Sequence, residues 1–279
     1  MREKKMKYKI LATDLDGTLN NDFHEITKGN KEAISQAVKE GMKVLICSGR
    51  SPASIEPYAK NAGLAEKGFY GIGFNGCVVF EADTMKTIYE KRLEKEKTLK
   101  IIELIKKADS SAPIMAYVKQ DLVYYETGKD YICAYSDRVK IKREEIGDFS
   151  ASIKEDVFKV IICWEPERLK AVYDALKDEV GQYGFMFYSS PNLLEFSPLG
   201  SDKSTGVKFL AKYLNVDMNE VICVGDNYND LEMVREAGLG VAVKNAVKEL
   251  KEAADYVTLK DNNEDAVKEV LDMVKGLNK

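Results

Sequence analysis

The chain has 279 residues, a net charge of −4 and 45% hydrophobic residues, a composition typical of an ordinary soluble protein with a sizeable core. The mildly acidic balance and the lack of a basic stripe argue against a nucleic-acid partner. No apolar run approaches the roughly 18 residues of a membrane helix, and the one after the basic start is too short for a secretory signal. The five scattered cysteines are predicted to be buried, reduced thiols, so we expect a cytoplasmic protein with no membrane partner. The composition leaves the oligomeric state open.

His24 is the only histidine of the chain. A Ser-His-Asp triad and a metal site built from several histidines are therefore nearly excluded. Any hydrolytic chemistry must use carboxylates, lysine, hydroxyl groups and a hard metal ion. His24 itself lies in the segment FHEIT and is predicted to be a surface loop residue.

The segment YKILATDLDGTL at 8–19 is the stretch around which the predicted site is built. The apolar run at 10–12 predicts a buried parallel strand, and two carboxylates, Asp14 and Asp16, follow it. In an extended backbone, residues i and i+2 point the same way, so both acids can face one site beyond the end of the strand. Two close carboxylates repel each other, which indicates either a cation between them or a shared proton. An acidic turn with no further role is the alternative.

Strands and helices alternate in the first part of the chain. Strands are predicted at 10–12, 42–47 and 70–74, and helices are predicted to begin after Thr27 and at Pro52. This alternation indicates right-handed βαβ units and a parallel sheet. The runs at 78–80 and 87–89 are predicted to form a hairpin that leaves the sheet.

The pattern changes at about residue 81 and returns at residue 193. Between these points, amphipathic helices and alternating strands predict an α+β insert. Beyond the insert, strands are predicted at 194–196, 221–224 and 241–243. We therefore expect an α/β fold, a Rossmann-like doubly wound parallel sheet, with an inserted α+β domain. The expected core domain comprises 1–83 and 190–279, and the insert comprises 84–189.

Polar side chains stand beyond the apolar strands at four junctions between a strand and a helix. These are Asp14 with Asp16, Ser48 with Arg50, Lys203, and Asp226 with Asn229 and Asp230. Each has an ordinary explanation when taken alone: a helix start, a solvated lysine, a turn or a helix cap. The carboxyl ends of parallel strands meet at one crevice, so four such junctions in one sheet indicate a single site.

These four elements resemble the motifs of the haloacid dehalogenase superfamily. DLDGT, CSGR, a lysine ahead of a helix and GDNYND occur here in the order of that family. The sequence is most similar to the Cof-type sugar-phosphatase branch, because Asn75-Gly76 resembles its NG turn and the segments at 245–246 and 254–257 resemble its NA…ADYVT tail. The resemblance covers essentially the whole chain. It implies that the insert is a cap domain that sets substrate specificity.

The resemblance implies a role for each acidic residue. Asp14 would be the nucleophile, forming an aspartyl-phosphate intermediate. Mg²⁺ would be held by the Asp14 carboxylate, the Asp16 backbone carbonyl and the Asp226 carboxylate, since it takes oxygen ligands. Asp16 would protonate the leaving alkoxide and then deprotonate the attacking water. Asp230 would orient ligands or waters around these groups, and Thr18 would order the loop, with a contact to Asp14.

Phosphate and substrate contacts are implied in the same way. Ser48 and the Gly49 amide would hydrogen-bond the transferring phosphoryl group, and Lys203 would neutralise its charge. Asn229 would also reach a phosphate oxygen. For two residues the residue chemistry leaves alternatives open. Arg50 either contacts substrate or pairs with a carboxylate, and Asn75 either lines the entrance beneath the cap or simply makes a turn.

The leading hypothesis is a Mg²⁺-dependent phosphatase acting on a small phosphorylated metabolite such as a sugar phosphate. The rival enzyme is a phosphomutase of the phosphomannomutase type, which returns the phosphoryl group to its substrate and should need a bisphosphate activator. A non-catalytic metabolite-binding protein is the third hypothesis. The intact set of Asp14, Asp16, Lys203 and Asp226 argues against it.

Overall fold

The computed structural model describes residues 7–66 and 68–277. Within them the chain divides into two units. The first is formed by the segments up to Tyr89 and from Asp202 onward, and the second by Glu90–Ser201. Among the described residues, no helix combines the length and the apolar character needed to cross a membrane.

Fourteen strands occur within the described residues and are numbered along the chain. They are β1 (Ile10–Thr13), β2 (Lys43–Cys47), β3 (Tyr70–Gly73), β4 (Val78–Glu81), β5 (Thr87–Glu90), β6 (Ile114–Lys119), β7 (Leu122–Tyr125), β8 (Lys142–Glu145), β9 (Val160–Cys163), β10 (Phe185–Ser190), β11 (Leu193–Ser197), β12 (Val221–Gly225), β13 (Leu239–Ala242) and β14 (Tyr256–Val257).

The α-helices are numbered in the same way. They are α1 (Lys28–Lys39), α2 (Pro52–Asn61), α3 (Lys95–Ala108), α4 (Lys129–Val139), α5 (Phe149–Ser152), α6 (Pro166–Leu176), α7 (Lys203–Tyr213), α8 (Leu231–Glu236), α9 (Lys248–Ala253) and α10 (Ala266–Leu277).

The first unit contains an eight-stranded sheet in the order β14-β13-β12-β1-β2-β3-β4-β5. Strand β1 lies between β12 and β2, and the pairs from β14 to β3 are all parallel. The strands of this sheet are mainly apolar, with polar or charged residues at some of their ends. Every residue of β1 and β12 is buried. The predicted α/β fold with a central parallel sheet is therefore confirmed.

Three helices of the first unit begin at residues whose side chains cap them. The Thr27 hydroxyl accepts a hydrogen bond from the Asn30 amide at the start of α1, as predicted. Ser51 caps α2 in the same way, and Pro52 occupies its first turn. Asp202 caps α7 by accepting from the Thr205 amide, which places Lys203 at the first position of that helix.

The second unit contains a six-stranded sheet in the order β10-β11-β9-β6-β7-β8. Its pairs are antiparallel except β7 with β8. One face of this sheet packs on α3 and α6 through a continuous apolar core, to which Ile114, Ile162 and Phe196 contribute. This architecture is the α+β type expected for the insert.

The limits of the two units differ from the predicted domain limits of 83/84 and 189/190. At the first limit, β5 does not leave the core with its hairpin but forms the edge strand of the eight-stranded sheet. At the second limit, β11 pairs with β9 and β10 rather than with the core sheet. The second unit therefore begins at Glu90 and ends at Ser201.

The second unit buries an ion pair on the sheet. Lys159 Nζ lies 2.8 Å from Glu195 Oε2, and the two side chains are only 2% and 4% exposed. The Lys159 ammonium also lies 5.4 Å from the centre of the Tyr117 ring, whose hydroxyl is 3.1 Å from that of Tyr135. Removing one partner of such a pair leaves the other charge buried without compensation, which costs stability.

Removing one partner of this pair is expected to destabilise the protein strongly. Lys159→Met leaves the Glu195 carboxylate buried without its counter-charge, which costs about 3–5 kcal/mol. The double variant Lys159→Met with Glu195→Leu removes both charges and should be more stable than Lys159→Met alone. Urea unfolding gives the free energy of unfolding of wild type, of Lys159→Met and of the double variant. A single variant within about 1 kcal/mol of wild type would contradict the argument.

Candidate active site

The predicted junctions meet at one edge of the eight-stranded sheet. Asp14 directly follows β1, Ser48 directly follows β2 and Asp226 directly follows β12. Because β1 pairs in parallel with both neighbours, these three strand ends lie side by side. Lys203 reaches the same place from the first turn of α7, and its Nζ lies 2.5 Å from Asp14 Oδ1.

Lys203 is fully buried between two carboxylates. Its Nζ lies 2.5 Å from oxygens of both Asp14 and Asp230. Burial alone would lower the pKa of Lys203, but the adjacent Asp14 and Asp230 carboxylates raise it above its ordinary value. The side chain is therefore a fixed positive charge within the site.

Asp230 has both carboxylate oxygens committed to protein partners. Oδ1 accepts from Lys203, and Oδ2 accepts from the amides of Asp226 and Asn227 at 3.0 Å each. Its side chain is completely buried. Asp230 thus fixes both the turn after β12 and the ammonium of Lys203, an arrangement that suits an orienting residue.

Asp14, Asp226 and Asp230 bring carboxylate oxygens within 4.8 Å of one another. Burial raises the pKa of Asp14 despite the nearby Lys203 ammonium. Burial, followed by the charge of Asp230, raises the pKa of Asp226 to about 6. Within the described residues the cluster contains three carboxylates and one ammonium group. Such an excess of negative oxygen donors fits a divalent cation.

The loop after β1 is shaped around Asp226. The Thr18 hydroxyl donates to Asp226 Oδ1 at 2.9 Å, so Thr18 contacts this acid rather than the expected Asp14. Gly17 has a φ of +83°, and a Cβ on it would lie 2.6 Å from Asp226 Oδ2. Only glycine suits both the left-handed backbone and the close approach. The Gly17 carbonyl accepts from the Asn245 side chain at 2.7 Å.

The Asp16 side chain pairs with Arg50. Arg50 Nε lies 2.6 Å from Asp16 Oδ2, and Nη2 lies 2.7 Å from Oδ1. Of the two alternatives for Arg50, the structure shows the pairing with a carboxylate. His24 Nδ1 lies 3.7 Å from Asp16 Oδ1, although its side chain is 58% exposed as expected for a loop residue.

Ser48 and Asn75 lie close together, since the Asn75 amide donates to the Ser48 carbonyl at 3.1 Å. The Ser48 hydroxyl accepts from the Arg50 amide at 3.1 Å, which leaves its own hydrogen to donate. Asn75 adopts φ +52° and is buried, and its Oδ1 accepts from the Asn229 amide group at 3.0 Å. Among the described residues, no partner is found for the buried Asn75 Nδ2. The Asn75 side chain lies close to Gly49, where a Cβ would be only 3.0 Å from Asn75 Oδ1.

Sequence reasoning missed three neighbours of these groups. The Tyr58 hydroxyl accepts from Arg50 Nη1 at 3.1 Å, and the guanidinium lies 5.0 Å from the ring centre. His24 was expected in the loop but not beside Asp16. Asn245 belongs to the NA element noted above, which was the one available signal for its contact with Gly17. No pattern in the sequence pointed to Tyr58 or to the position of His24.

Comparisons with known proteins agree with this fold. A family model described as haloacid dehalogenase-like hydrolase matches residues 11–271. The chain is 32% identical over 265 residues to "Putative phosphatase YxeH" of Bacillus subtilis (strain 168), covering 93% of this chain and 96% of that protein. It is 27% identical over 261 residues to 5-amino-6-(5-phospho-D-ribitylamino)uracil phosphatase YitU of the same organism, covering 92% and 94%. A solved haloacid dehalogenase-like hydrolase from Bacteroides thetaiotaomicron has a TM-score of 0.86 at 31% identity, covering 96% and 100%.

The chain belongs to the haloacid dehalogenase-like hydrolase family. The resemblance drawn from DLDGT, CSGR, Lys203 and GDNYND is therefore confirmed. The predicted enzyme class, a phosphoric monoester hydrolase, is confirmed at this level, since the named relatives are phosphatases.

Proposed function

We propose that the protein is a Mg²⁺-dependent phosphatase that hydrolyses a small phosphorylated metabolite through an aspartyl-phosphate on Asp14. The observation that carries the proposal is the carboxylate of Asp14 held against the buried Lys203 ammonium, with Asp226 beside it. A phosphomonoester carries about two negative charges, so a carboxylate nucleophile can approach it only where positive charge is concentrated.

Asp14, Asp226 and the Asp16 backbone carbonyl would hold the metal ion. When bound, Mg²⁺ neutralises charge between the carboxylates and the phosphate, and it retains coordination positions for water and phosphate oxygens. The oxygen-only donor set supports this assignment.

In the first step an Asp14 oxygen attacks phosphorus and the bond to the leaving alkoxide breaks. Asp16 donates its proton to that alkoxide. Lys203 neutralises charge on Asp14 and on the transferring group, while the Ser48 hydroxyl and the Gly49 amide donate hydrogen bonds to phosphoryl oxygens. Asn229 also lies at this edge, held by Asn75.

In the second step Asp16, now a carboxylate, takes a proton from water. The water oxygen attacks phosphorus, the bond between Asp14 and phosphorus breaks, and phosphate leaves. Asp14 returns as a free carboxylate and Asp16 regains its proton. Asp14 thus serves as the nucleophile, and Asp16 serves first as general acid and then as general base.

The substrate class is proposed from the same chemistry and from the relatives. One relative is named for a phosphoribityl compound, which is a small phosphorylated polyol derivative. A sugar phosphate or a similar ester is therefore the proposed substrate, processed in the cytoplasm. We assign specificity to side chains of the second unit, which corresponds to the predicted cap.

Phosphate release from a substrate panel tests the proposal. Purified protein with Mg²⁺ is assayed on para-nitrophenyl phosphate, sugar phosphates, nucleotides, flavin mononucleotide and pyridoxal phosphate. Release from at least one ester is expected. No release from any of them would refute a phosphatase.

Removing the metal is expected to abolish activity reversibly. Excess EDTA should stop phosphate release, and Mg²⁺ added beyond the chelator should restore it, because Asp14 and phosphate otherwise repel each other. Asp226→Asn removes one charged ligand and should raise the Mg²⁺ concentration for half-maximal activity by about tenfold or more. Full activity in EDTA would contradict a metal-dependent mechanism.

A phosphomutase is the remaining alternative enzyme. The relatives reported above are phosphatases, which favours transfer to water. A mutase would release little phosphate and would be activated by a sugar bisphosphate. Measuring phosphate release and isomerised sugar phosphate in the same reaction separates the two activities.

A further inference from the structure

The guanidinium of Arg50 is committed to protein partners on its outer edges. Nε and Nη2 form a fork with both oxygens of Asp16, at 2.6 and 2.7 Å. Nη1 donates to the Tyr58 hydroxyl at 3.1 Å, and the side chain is only 12% exposed. A guanidinium bound in this way has little left to offer a phosphate.

Arg50 is also fixed at its backbone. Its amide donates to the Ser48 hydroxyl at 3.1 Å, and its carbonyl accepts from the Phe74 amide at 2.8 Å. The Tyr58 ring lies 5.0 Å from the guanidinium and braces it from α2. Both ends of the side chain are therefore held by the scaffold.

Asp16, in contrast, sits in a loop with a 40% exposed side chain. His24 also lies beside it among the described residues, with its Nδ1 3.7 Å from Asp16 Oδ1 and its own side chain mostly exposed. The direction of the Asp16 carboxylate is thus set mainly by the Arg50 fork. Bidentate pairing of this kind fixes orientation as well as distance, which a lysine cannot reproduce.

We propose that Arg50 is a positioning residue that acts through Asp16 rather than a phosphate ligand. It fixes the direction of the Asp16 side chain, which in the proposed mechanism must reach the leaving-group oxygen. The inference rests on the proposed function, in which Asp16 serves as acid and base. It gives the observed pairing of Arg50 with a carboxylate a function, which is to align the proton-transfer group.

Leaving-group dependence distinguishes these two roles. A general acid matters most when the leaving group is a poor one, whereas a phosphate ligand matters equally for all esters. Phenyl phosphate and para-nitrophenyl phosphate have similar shapes, but phenolate is the poorer leaving group. We expect Arg50→Ala to lower kcat/KM on phenyl phosphate by about tenfold or more beyond its effect on para-nitrophenyl phosphate. Equal losses on the two esters would overturn the proposal.

A double-variant cycle provides the second test. If Arg50 acts through Asp16, then Arg50→Ala should cost little more once Asp16→Asn has removed the acid. Independent, multiplying losses would show that Arg50 has its own contact with substrate and would overturn the proposal. Arg50→Lys keeps the charge without the fork, and it should show the same leaving-group selectivity to a smaller degree.

Three controls keep the outcome interpretable. Arg235→Ala removes an exposed arginine paired with Glu232. It should leave kcat/KM on phenyl phosphate and on para-nitrophenyl phosphate unchanged. Thermal unfolding of each variant shows whether it is folded, and Arg50→Lys carries the test if Arg50→Ala is not. Asp14→Asn separates the two levels: activity that survives in that variant refutes the proposed function itself, whereas equal losses in Arg50→Ala refute only the role of Arg50.

Discussion

Asp14→Asn should lower phosphate release by about four orders of magnitude or more, the scale seen when a nucleophile is removed. A neutral amide oxygen is a far weaker nucleophile than a carboxylate, and no other acid stands at the end of β1 against Lys203 within the described residues. The substitution preserves the size of the side chain. Lys203 also retains its contact with Asp230, so the variant should fold.

A matched control for this variant is Asp22→Asn. Asp22 is an exposed acid eight residues further along, held by the side-chain amides of Asn262 and Asn263, which lower its pKa. Its neutralisation should leave turnover close to that of wild type. Undiminished turnover in Asp14→Asn would contradict the assignment of the nucleophile, whatever the behaviour of the control.

Lys203→Met is expected to damage both stability and activity. The buried carboxylates of Asp14 and Asp230 would lose their shared counter-charge, at a cost of about 3–5 kcal/mol in unfolding free energy. Activity should fall by about a hundredfold or more, because charge on the transferring phosphoryl group would be left uncompensated. Urea unfolding and phosphate release measure the two effects on one preparation.

Lys208→Met is the matched control on the same helix. Lys208 pairs with Glu236 at 2.5 Å, and its side chain is about half exposed. Pairs at the surface contribute about 1 kcal/mol or less, so this variant should be nearly neutral in stability and fully active. Equal losses of stability and activity in the two lysine variants would show that the position of Lys203 between two acids matters for neither.

The position of the site could be predicted because it follows from topology. Parallel strands end at the same edge of a sheet, so acids and hydroxyls directly after β1, β2 and β12 must lie near one another. Lys203 could be added because a helix start returns the chain to that edge. The family motifs then supplied roles for these residues.

The direction of side chains in the loops could not be predicted. The i and i+2 rule places Asp14 and Asp16 on one face only while the backbone is extended, and the strand ends at Thr13. Beyond it, Asp16 pairs with Arg50, which is 34 residues away in the sequence, and lies near His24 in the same loop region. Tyr58, which braces Arg50, belongs to no motif.

Strand pairing was the other limit. The run at 194–196 predicts a strand but does not say which sheet it joins, since β propensity depends on context. Because the pattern of the first part of the chain returns at residue 193, the sequence places this run in the core domain. Its pairing with β9 and β10 moves the limit between the two units to Ser201.

Trapping the acyl phosphate tests the central claim most directly. Asp16→Asn should slow hydrolysis of the intermediate, so that phosphorylated enzyme accumulates with para-nitrophenyl phosphate and Mg²⁺. Borohydride reduces an aspartyl phosphate to homoserine, which peptide mass spectrometry can locate. The account predicts homoserine at position 14. Homoserine at another position, or continued turnover with position 14 unmodified, would contradict it.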